Sequence, residues 1–337
     1  MKPIVKSEFL IEQAPFSECH APTLAKTPAG LVVAFFAGSR EGSTDVSIWL
    51  VRQTAGGWSA PREIVTGVAG STRRYPCWNP VLFQPADGLL LLFYKVGPSP
   101  AKWWGMLMIS QDHGVTWSEP RRLPHRIWGP VKNKPIQLNN GLLLCPTSDE
   151  TRGWRVFLQT TADFGMTWKS IGPLNDGRRL AAIQPSILRY PSGALQLLCR
   201  SKAGFIVACW SMDNGNRWST MTTTVLPNPN SGIDAVSLHD GRALLVYNHA
   251  GTVAGNTGQR SPLNVAVSND GLYWSAGLLL ESEPGEYSYP AVIQAADGRV
   301  HVAYTWRRKN IRHVVIEPNR LAPMAMPAGE WPKKWSN

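Results

Sequence analysis

Six polar or ionisable side chains recur in similar surroundings along the sequence, each at the opening of a segment that then turns apolar. They are His20, Asn79, Lys134, Gln184, Asp234 and Tyr289. A second set lies seven residues after a turn glycine in each segment and includes Lys95 and Arg200. Buried polar groups without partners are costly, so these sets indicate a ligand site. The two cations indicate an anionic ligand, because arginine can hold a carboxylate through two parallel hydrogen bonds.

The segments that carry these side chains are repeated along the chain. Each has a polar opening, a turn with glycine, and an apolar stretch such as Leu31–Phe36 or Leu89–Tyr94. The turn glycines are Gly30, Gly88, Gly141, Gly193, Gly241 and Gly298. Nearly continuous apolar strands are typical of sheets covered on both faces. The sequence therefore predicts six packed sheets.

A second repeated pattern, Ser/Thr-x-Asp-x-Gly-x-Thr-Trp with small deviations, ends at four tryptophans. They are Trp117, Trp168, Trp218 and Trp274, so the period is 50 to 56 residues. Such a period, with several short strands per unit, is typical of propeller blades. The aspartate can bond the backbone of its own turn, the glycine supplies a positive φ, and the tryptophan fills an apolar layer. These aspartates are therefore interpreted as structural.

The repeats together predict an all-β fold with a single domain over residues 1–337. We expect a six-bladed β-propeller of four-stranded antiparallel blades, with one extra degenerate blade as the alternative. The last unit has only three clear strands, and the segment Ile4–Ile11 can supply the fourth. That pairing would close the ring and leave no free sheet edge.

Composition limits the classes of partner. The chain has 337 residues, 43% of them hydrophobic and 17% charged, with a net charge of +11. The charge is scattered and no nucleic-acid module is recognisable, so an acidic small substrate is preferred to nucleic acid. No apolar run is long enough to span a membrane. The oligomeric state stays open.

Cysteine and histidine usage bears on location and metals. Five cysteines form no Cys-x-x-Cys pair, which predicts buried free thiols and a reducing compartment. Residues 1–6 contain no apolar leader, so a cytoplasmic location is expected, although an export signal removed beforehand stays open. The seven histidines lack metal-ligand spacing. We predict no metal and no cofactor.

The four copies of the Ser/Thr-x-Asp-x-Gly-x-Thr-Trp pattern, here called the box-like repeats, resemble the Asp boxes of the sialidase (neuraminidase) superfamily. The resemblance extends over nearly the whole chain. It implies a propeller that binds the substrate carboxylate with three arginines. Arg200 and Arg260 stand at the places of the second and third arginines, and His20 stands where the first is expected. Asp45 is the nearest match to the catalytic acid.

The resemblance also implies a tyrosine nucleophile activated by a glutamate. Tyr287, followed by Ser288, matches the nucleophile. Gln184 stands in the place of the glutamate and cannot act as a base, although Glu286 is a candidate replacement. A tyrosine without a neighbouring base is a poor nucleophile, so the pattern argues against ordinary sialidase chemistry but not against an acidic sugar.

Residues 132–135, 228–234 and 285–290 are similar to sialidase-like propellers that include L-rhamnose-α-1,4-D-glucuronate lyases. This resemblance implies cleavage by β-elimination, in which cations neutralise the carboxylate while a base takes the adjacent proton. His20 and Tyr287 are the candidate base and acid, with Tyr94 as another candidate. The predicted substrate-binding residues are Arg200, Arg260, Lys134, Gln184, Asp234, Asn79, Lys95, Tyr94, Tyr289, Arg40 and Arg307.

Three other functions stay open at this point. The first is an exo-sialidase-type hydrolase with Tyr287 as nucleophile, since sialidases depart from the two-carboxylate scheme of glycosidases. The second is a sugar-binding propeller without catalysis. The weakest is a nucleic-acid-binding propeller, which would show steep salt dependence.

Overall fold

The computed structural model describes residues 1–69, 73–86, 88–252, 258–333 and 335. Its described residues form six antiparallel sheets of four or five strands, which are the blades of a propeller, and one small two-stranded sheet. The predicted all-β, six-bladed fold is confirmed. Pairs of adjacent blades bury apolar side chains between them, which explains why the strands are apolar on both faces.

The strands of each blade follow one another from the inside of the ring outwards. Blade 1 contains Glu18–Thr27, Gly30–Gly38, Ser47–Thr54 and Arg62–Val65, with Gly57–Trp58 as an additional short strand. Blade 2 contains Cys77–Phe83, Leu90–Val96, Trp104–Ser110 and Arg121–Arg122. Blade 3 contains Ile136–Gln137, Leu143–Asp149, Arg155–Thr161 and Lys169–Ile171.

The second half of the chain follows the same plan. Blade 4 contains Ala182–Arg189, Leu195–Ser201, Phe205–Ser211 and Thr222–Pro227. Blade 5 contains Asp234–Ser237, Ala243–Tyr247, Leu263–Ser268, Ser275–Glu281 and the short strand Met324–Ala325. Blade 6 contains Tyr287–Gln294, Val300–Trp306, Asn310–Ile316 and Ile4–Phe9. The remaining elements are the hairpin Val68–Ala69 with Arg73–Arg74, and two 3₁₀ helices, Pro318–Arg320 and Pro327–Gly329.

The N-terminal strand closes the ring, as predicted. Ile4–Phe9 pairs antiparallel with Asn310–Ile316, with Ile4 opposite Ile316 and Phe9 opposite Arg312. The N-terminal strand therefore supplies the fourth strand of blade 6, and the outer edge of that blade is covered.

The box-like repeats hold the hairpins between the third and fourth strands. In the first copy the Asp112 carboxylate accepts hydrogen bonds from the Ser110 hydroxyl at 2.8 Å and from the Thr116 backbone N–H at 2.8 Å. The hydrogen bonds from Thr116 lower the pKa of Asp112. The Trp168 indole donates to the Gly165 carbonyl at 2.9 Å in the second copy. These aspartates are bound to their own turns, in accordance with a structural role.

Four inner strands share one irregularity near their first residues. Ala21, Asn79, Gln184 and Tyr289 have φ values of 53°, 40°, 55° and 53°, and each precedes a proline. The strand pairing shifts register at each of these places. Left-handed backbone at residues other than glycine costs of order 1–3 kcal/mol and clusters at functional sites. In each strand the register shift is a β-bulge. In blade 1 the residue with positive φ is Ala21, so Ala21, and not His20, occupies the position that Asn79, Gln184 and Tyr289 occupy in their blades.

The five cysteines are all buried and free, as predicted. Within the described residues, no helix is long and apolar enough to cross a membrane.

Candidate active site

The inner strands begin on one face of the propeller, where their first residues surround the axis. Five residues predicted for the site meet there: Arg200, Gln184, Tyr289, Arg260 and His20. We call this group the axial cup. Arg200 and Arg260 lie on the same face, because their guanidinium carbons lie 5.8 and 5.4 Å from the centroid of the same ring, that of Tyr289.

Arg200 is the centre of the cup. It is only 7% exposed, yet each of its hydrogen-bond acceptors among the described residues is uncharged. Its guanidinium donates to the Tyr289 hydroxyl at 2.7 Å, to Asn230 Oδ1 at 3.0 Å and to Gln184 Oε1 at 3.3 Å, and it lies over the ring of Trp154. A buried cation without a carboxylate partner is costly, so this arrangement favours an anionic ligand.

Arg260 is arranged differently. It donates to Glu286 Oε1 at 2.7 Å, and Arg308 donates to the other oxygen of that carboxylate at 2.9 Å. Arg308 also donates to Glu41 at 2.6 Å. Burial opposes ionisation of Glu286, but the adjacent Arg260 and Arg308 hold its pKa below the usual range. Glu286 is therefore an ionised partner of two arginines and is poorly placed to serve as a base.

His20 forms one wall of the cup. It is 1% exposed, and its ring lies 4.3 Å from that of Tyr289. Burial, followed by the fields of Arg308, Arg260 and other cations, lowers its pKa well below the usual value. Among the described residues, no hydrogen-bond partner lies next to its buried Nδ1 atom. The cup thus contains a buried imidazole whose surroundings favour its neutral form.

Two predicted residues, Lys134 and Asp234, lie in a separate cluster where they bind each other. Lys134 Nζ lies 2.9 Å from Asp234 Oδ2. The same carboxylate accepts hydrogen bonds from the Ser186 hydroxyl at 2.8 Å and from the Val292 N–H at 2.9 Å. Asp234 therefore joins blades 3, 4, 5 and 6, and these two side chains serve the ring and are not directed at a ligand.

Lys132, which sequence reasoning missed, crosses the axis. Its amine donates to the carbonyls of Ile233, at 2.6 Å, and Pro290, and to Asn133 Oδ1 at 2.8 Å. Burial lowers its pKa to about 7. Its positive φ of 71° is the structural sign of its special position. We call Lys132, Lys134 and Asp234 the axial tie.

The structure does not bring Tyr287 into the cup. Its side chain is 1% exposed and packs in the core between blades 5 and 6. Its hydroxyl accepts hydrogen bonds from Arg307 at 3.1 and 3.3 Å. The bulge at Tyr289 and Pro290 breaks the regular alternation of side chains, so Tyr289 reaches the cup while Tyr287 does not. The exposed Arg307 lies with Tyr287, outside the cup.

The predicted residues of blade 2 lie within the packing of the ring. Lys95 is fully buried and donates to the Pro130 carbonyl at 2.7 Å, and burial lowers its pKa to about 7. Tyr94 is fully buried in the core between blades 1 and 2. Asn79 is 6% exposed at its bulge. Lys95 and Tyr94 are therefore core residues.

Asp45 and Arg40 belong to the loop between the second and third strands of blade 1, on the face that carries the cup. Both are exposed. The Asp45 carboxylate accepts hydrogen bonds from the Ser39 N–H at 2.7 Å and the Ser39 hydroxyl at 2.8 Å. Burial raises the pKa of Asp45, but the hydrogen bonds from Ser39 outweigh burial, so the pKa is lowered. Asp45 is therefore held as an ionised loop carboxylate.

Glu150 is a further carboxyl that sequence reasoning missed. It lies in the loop between the second and third strands of blade 3, where it interacts with Arg200, Lys202 and Trp154. Burial raises its pKa, and this effect exceeds the opposite effect of the two cations. It lies in no recognisable motif, so only the folded chain reveals it. The described residues contain no group of three or more histidine, cysteine or acidic side chains that could hold a metal.

Comparison with known proteins identifies the family. The BNR repeat-like domain family matches residues 29–302. The chain belongs to this family. The comparison with curated protein sequences finds no match.

Solved structures extend the likeness of the fold to the sialidase superfamily. A protein described as of unknown function from Dyadobacter fermentans has a TM-score of 0.77 and 18% identity, covering 93% of this chain and 98% of its own. The intramolecular trans-sialidase of Ruminococcus gnavus, with oseltamivir carboxylate, has a TM-score of 0.71 and 14% identity, covering 95% and 99%. An α-L-arabinanase of Penicillium chrysogenum has a TM-score of 0.70 and 16% identity, with the same coverage. This BNR-repeat chain therefore has a sialidase-like propeller fold.

Proposed function

We propose that this BNR-repeat protein is a carbohydrate-active enzyme that binds a terminal acidic sugar by its carboxylate. The observation that carries the proposal is the buried guanidinium of Arg200, whose acceptors Tyr289, Asn230 and Gln184 are all uncharged. A substrate carboxylate would supply a charged hydrogen-bond acceptor for Arg200; Glu150 interacts with Arg200, but burial raises the pKa of Glu150 and so favours its neutral form. The trans-sialidase of R. gnavus holds a carboxylate ligand on a similar fold, which is consistent with this assignment.

The reaction that best suits the cup is eliminative cleavage, of the L-rhamnose-α-1,4-D-glucuronate lyase type. A base removes the proton at C5 of the uronate, the C4–O bond breaks, and a C4–C5 double bond forms. The leaving oxygen takes a proton from an acid, so rhamnose and an unsaturated uronate result. Arg200 neutralises the carboxylate and thereby stabilises the charge that develops at C5.

His20 and Tyr289 are the proposed base and acid. The Nδ1 atom of His20 has no hydrogen-bond partner among the described residues, and in this mechanism it takes the C5 proton. The Tyr289 hydroxyl accepts from Arg200 at 2.7 Å, which leaves its own hydrogen for the leaving oxygen. A bound carboxylate would offset the cations that lower the pKa of His20 and would make the imidazole a stronger base. Tyr289 replaces Tyr287 in this role because of where the two side chains lie.

A sialidase-type hydrolase is the second candidate. It is favoured by Glu150, a carboxyl with a raised pKa near Arg200, which suits a general acid. It is disfavoured by Gln184, because an amide next to Arg200 cannot activate a tyrosine. Glu286 is held by Arg260 and Arg308 and does not fill that role.

One experiment separates these functions. The protein is incubated with rhamnosyl-glucuronate and with sialyl-lactose in parallel, and ultraviolet absorbance and released sugar are both recorded. We expect rhamnose release together with new absorbance from the conjugated uronate. Sialic acid release without absorbance would support the hydrolase, and saturable binding without release would support a sugar-binding protein.

Variants test the assigned roles. We expect His20→Ala and Tyr289→Phe each to lower kcat by roughly 10²- to 10⁴-fold, the usual contribution of a positioned acid or base. Tyr287→Phe is the matched control and should retain activity in the folded fraction. Full activity in both His20→Ala and Tyr289→Phe would contradict the assignment.

A further inference from the structure

A large groove lies beside the axial cup, over blades 2 and 3. Its volume is about 1030 Å³, and its walls come from residues 101–104 and 122–128, with Asp149, Thr151, Arg152, Arg155, Phe157, Ser170 and Pro173. We call it the lateral groove. Its size is at the upper end of the range for small-molecule sites, which is about 300–1,000 Å³. It can therefore take a ligand of several rings.

The lateral groove is strongly cationic. Its described lining has five cationic side chains and one carboxylate, namely Lys102, Arg122, Arg126, Arg152 and Arg155, with Asp149. Asp149 is paired with Arg155 at 2.6 Å, so the other four cations have no carboxylate partner among the lining residues. Such a surface attracts polyanions.

Aromatic side chains give the groove flat apolar faces. Trp103, Trp104, Trp128 and Phe157 all belong to its lining. The Arg122 guanidinium lies 4.7 Å from the centroid of Trp104, so its plane is already oriented by stacking. An apolar wall with a few oriented cations suits a ring that carries a carboxylate or a sulfate.

The lateral groove and the cup share one loop. In the loop that follows the second strand of blade 3, Glu150 and Trp154 neighbour Arg200, whereas Asp149 and Arg155 line the groove. A chain that leaves the cup over this loop would therefore enter the groove.

A row of aromatic rings links the two places from the other side. Trp103 of the groove lies 6.2 Å from Trp78, and Trp78 lies 6.2 Å from Phe36. The ring of Phe36 lies 5.5 Å from that of His20 in the cup. Phe36, Trp78 and Trp103 are only 2%, 7% and 8% exposed, so this row joins the walls of the cup and of the groove through the packed interior.

We propose that the lateral groove binds a second anionic unit of the same saccharide chain whose terminal acidic sugar occupies the cup. This inference rests on the proposed function and adds a substrate class to it, an oligosaccharide with at least two acidic groups. The enzyme would then act at the ends of acidic polysaccharides in preference to isolated disaccharides. The shared loop favours a saccharide over a nucleic acid, because the ligand continues from a sugar site.

Calorimetry with a tetraglucuronate probe, and maltotetraose as its neutral counterpart, tests the groove directly. The test variant is Arg122→Ala/Arg126→Ala. The control is Lys26→Ala/Arg217→Ala, which removes the same charge from exposed positions in blades 1 and 4, away from the groove lining. We expect the test variant to bind tetraglucuronate about 10-fold or more weakly, because charge-assisted hydrogen bonds are lost. The control should stay close to the unmodified protein, and maltotetraose should bind poorly throughout.

The outcomes separate the groove from the cup. Equal tetraglucuronate affinities in the test variant and the control would overturn the groove proposal. Tighter binding of a single-stranded oligothymidylate of equal charge would overturn it in favour of nucleic acid. If Arg200→Ala leaves the affinity unchanged while the groove variant lowers it, the cup assignment fails and the groove remains an anionic saccharide site.

Discussion

The axial cup and the axial tie lie on the same propeller axis and both contain buried cations, but the protein satisfies them differently. In the tie, Lys134 has Asp234, and Lys132 has two carbonyls and an amide oxygen. In the cup, the acceptors that the described residues offer Arg200 are all uncharged. The three hydrogen bonds of Lys132 use all three of its N–H donors, and Lys134 has a carboxylate. Arg200 has five N–H donors but makes three hydrogen bonds among the described residues, so it can still bind a ligand. The difference teaches that residue type alone does not identify a binding cation; its partners do.

Removing the tie carboxylate should have the largest effect on stability. The carboxylate of Asp234 is 2% exposed and the Lys134 side chain 18% exposed. Asp234→Ala removes the counter-charge of Lys134 and the acceptor of the Ser186 hydroxyl and the Val292 N–H. We expect a loss of about 3–5 kcal/mol in the free energy of unfolding, the usual result of breaking a buried pair. Chemical denaturation measures this loss.

Asp240→Ala is the control for that prediction. Asp240 pairs with Arg242 at 2.7 Å but is 41% exposed, so its loss should cost about 0–1 kcal/mol. Equal effects of the two substitutions would refute the distinction between tie and surface pair.

Removing the cup cation should affect activity more than stability. Arg200→Ala deletes the group that neutralises the substrate carboxylate, so kcat/KM should fall roughly 10²- to 10³-fold. The unfolding midpoint should fall less than in Asp234→Ala, because the hydrogen-bond acceptors left behind, on Tyr289, Asn230 and Gln184, are uncharged. Arg200→Lys should restore little, since lysine lacks the planar two-donor geometry. A large loss of stability with unchanged kcat/KM would reverse the roles of cup and tie.

The pH dependence of His20 gives a smaller and more specific test. Burial and nearby cations hold its folded pKa well below 6.5, whereas the unfolded chain takes up this proton near pH 6.5. Stability from this residue is therefore complete above pH 6.5 and falls as the pH decreases below that value. Titration of the imidazole by NMR, together with the acidic limb of kcat/KM, measures its pKa.

Arg308→Gln sharpens the pH test. Arg308 exerts the strongest charge effect on His20, so its removal should raise the pKa of His20 and move the acidic limb of kcat/KM to higher pH. Arg307→Gln is the control, because Arg307 donates to the Tyr287 hydroxyl outside the cup. It should leave the pKa of His20 and the acidic limb unchanged. If Arg307→Gln shifted the pKa of His20 as much as Arg308→Gln does, the effect would not depend on the position of Arg308 near the cup.

The fold could be predicted from sequence because its signals are local. Turn glycines, the Ser/Thr-x-Asp-x-Gly pattern and apolar strands each determine a hairpin without distant residues. The candidate site follows the repeat only in part. Arg200, Gln184 and Tyr289 follow it and lie together in the structure, and their role in a site stays a prediction.

The errors have physical causes that are not local. A bulge at Tyr289 changes which of two nearby tyrosines reaches the axis. The partner of Lys134 is 100 residues away, and Lys132 and Glu150 lie outside the repeated pattern. Such distant partners decide whether a polar side chain holds the blades together or is available to bind a ligand.

The strand that closes the ring has a further consequence. Ile4–Phe9 lies against Asn310–Ile316, and the Glu317 N–H donates to the Pro3 carbonyl at 2.8 Å. The strand thus fastens blade 6, which carries Tyr289, to the segment that leads into blade 1 and His20. Deleting residues 1–9 would leave the backbone of Asn310–Ile316 unpaired along one side, where it could pair with a strand of another molecule.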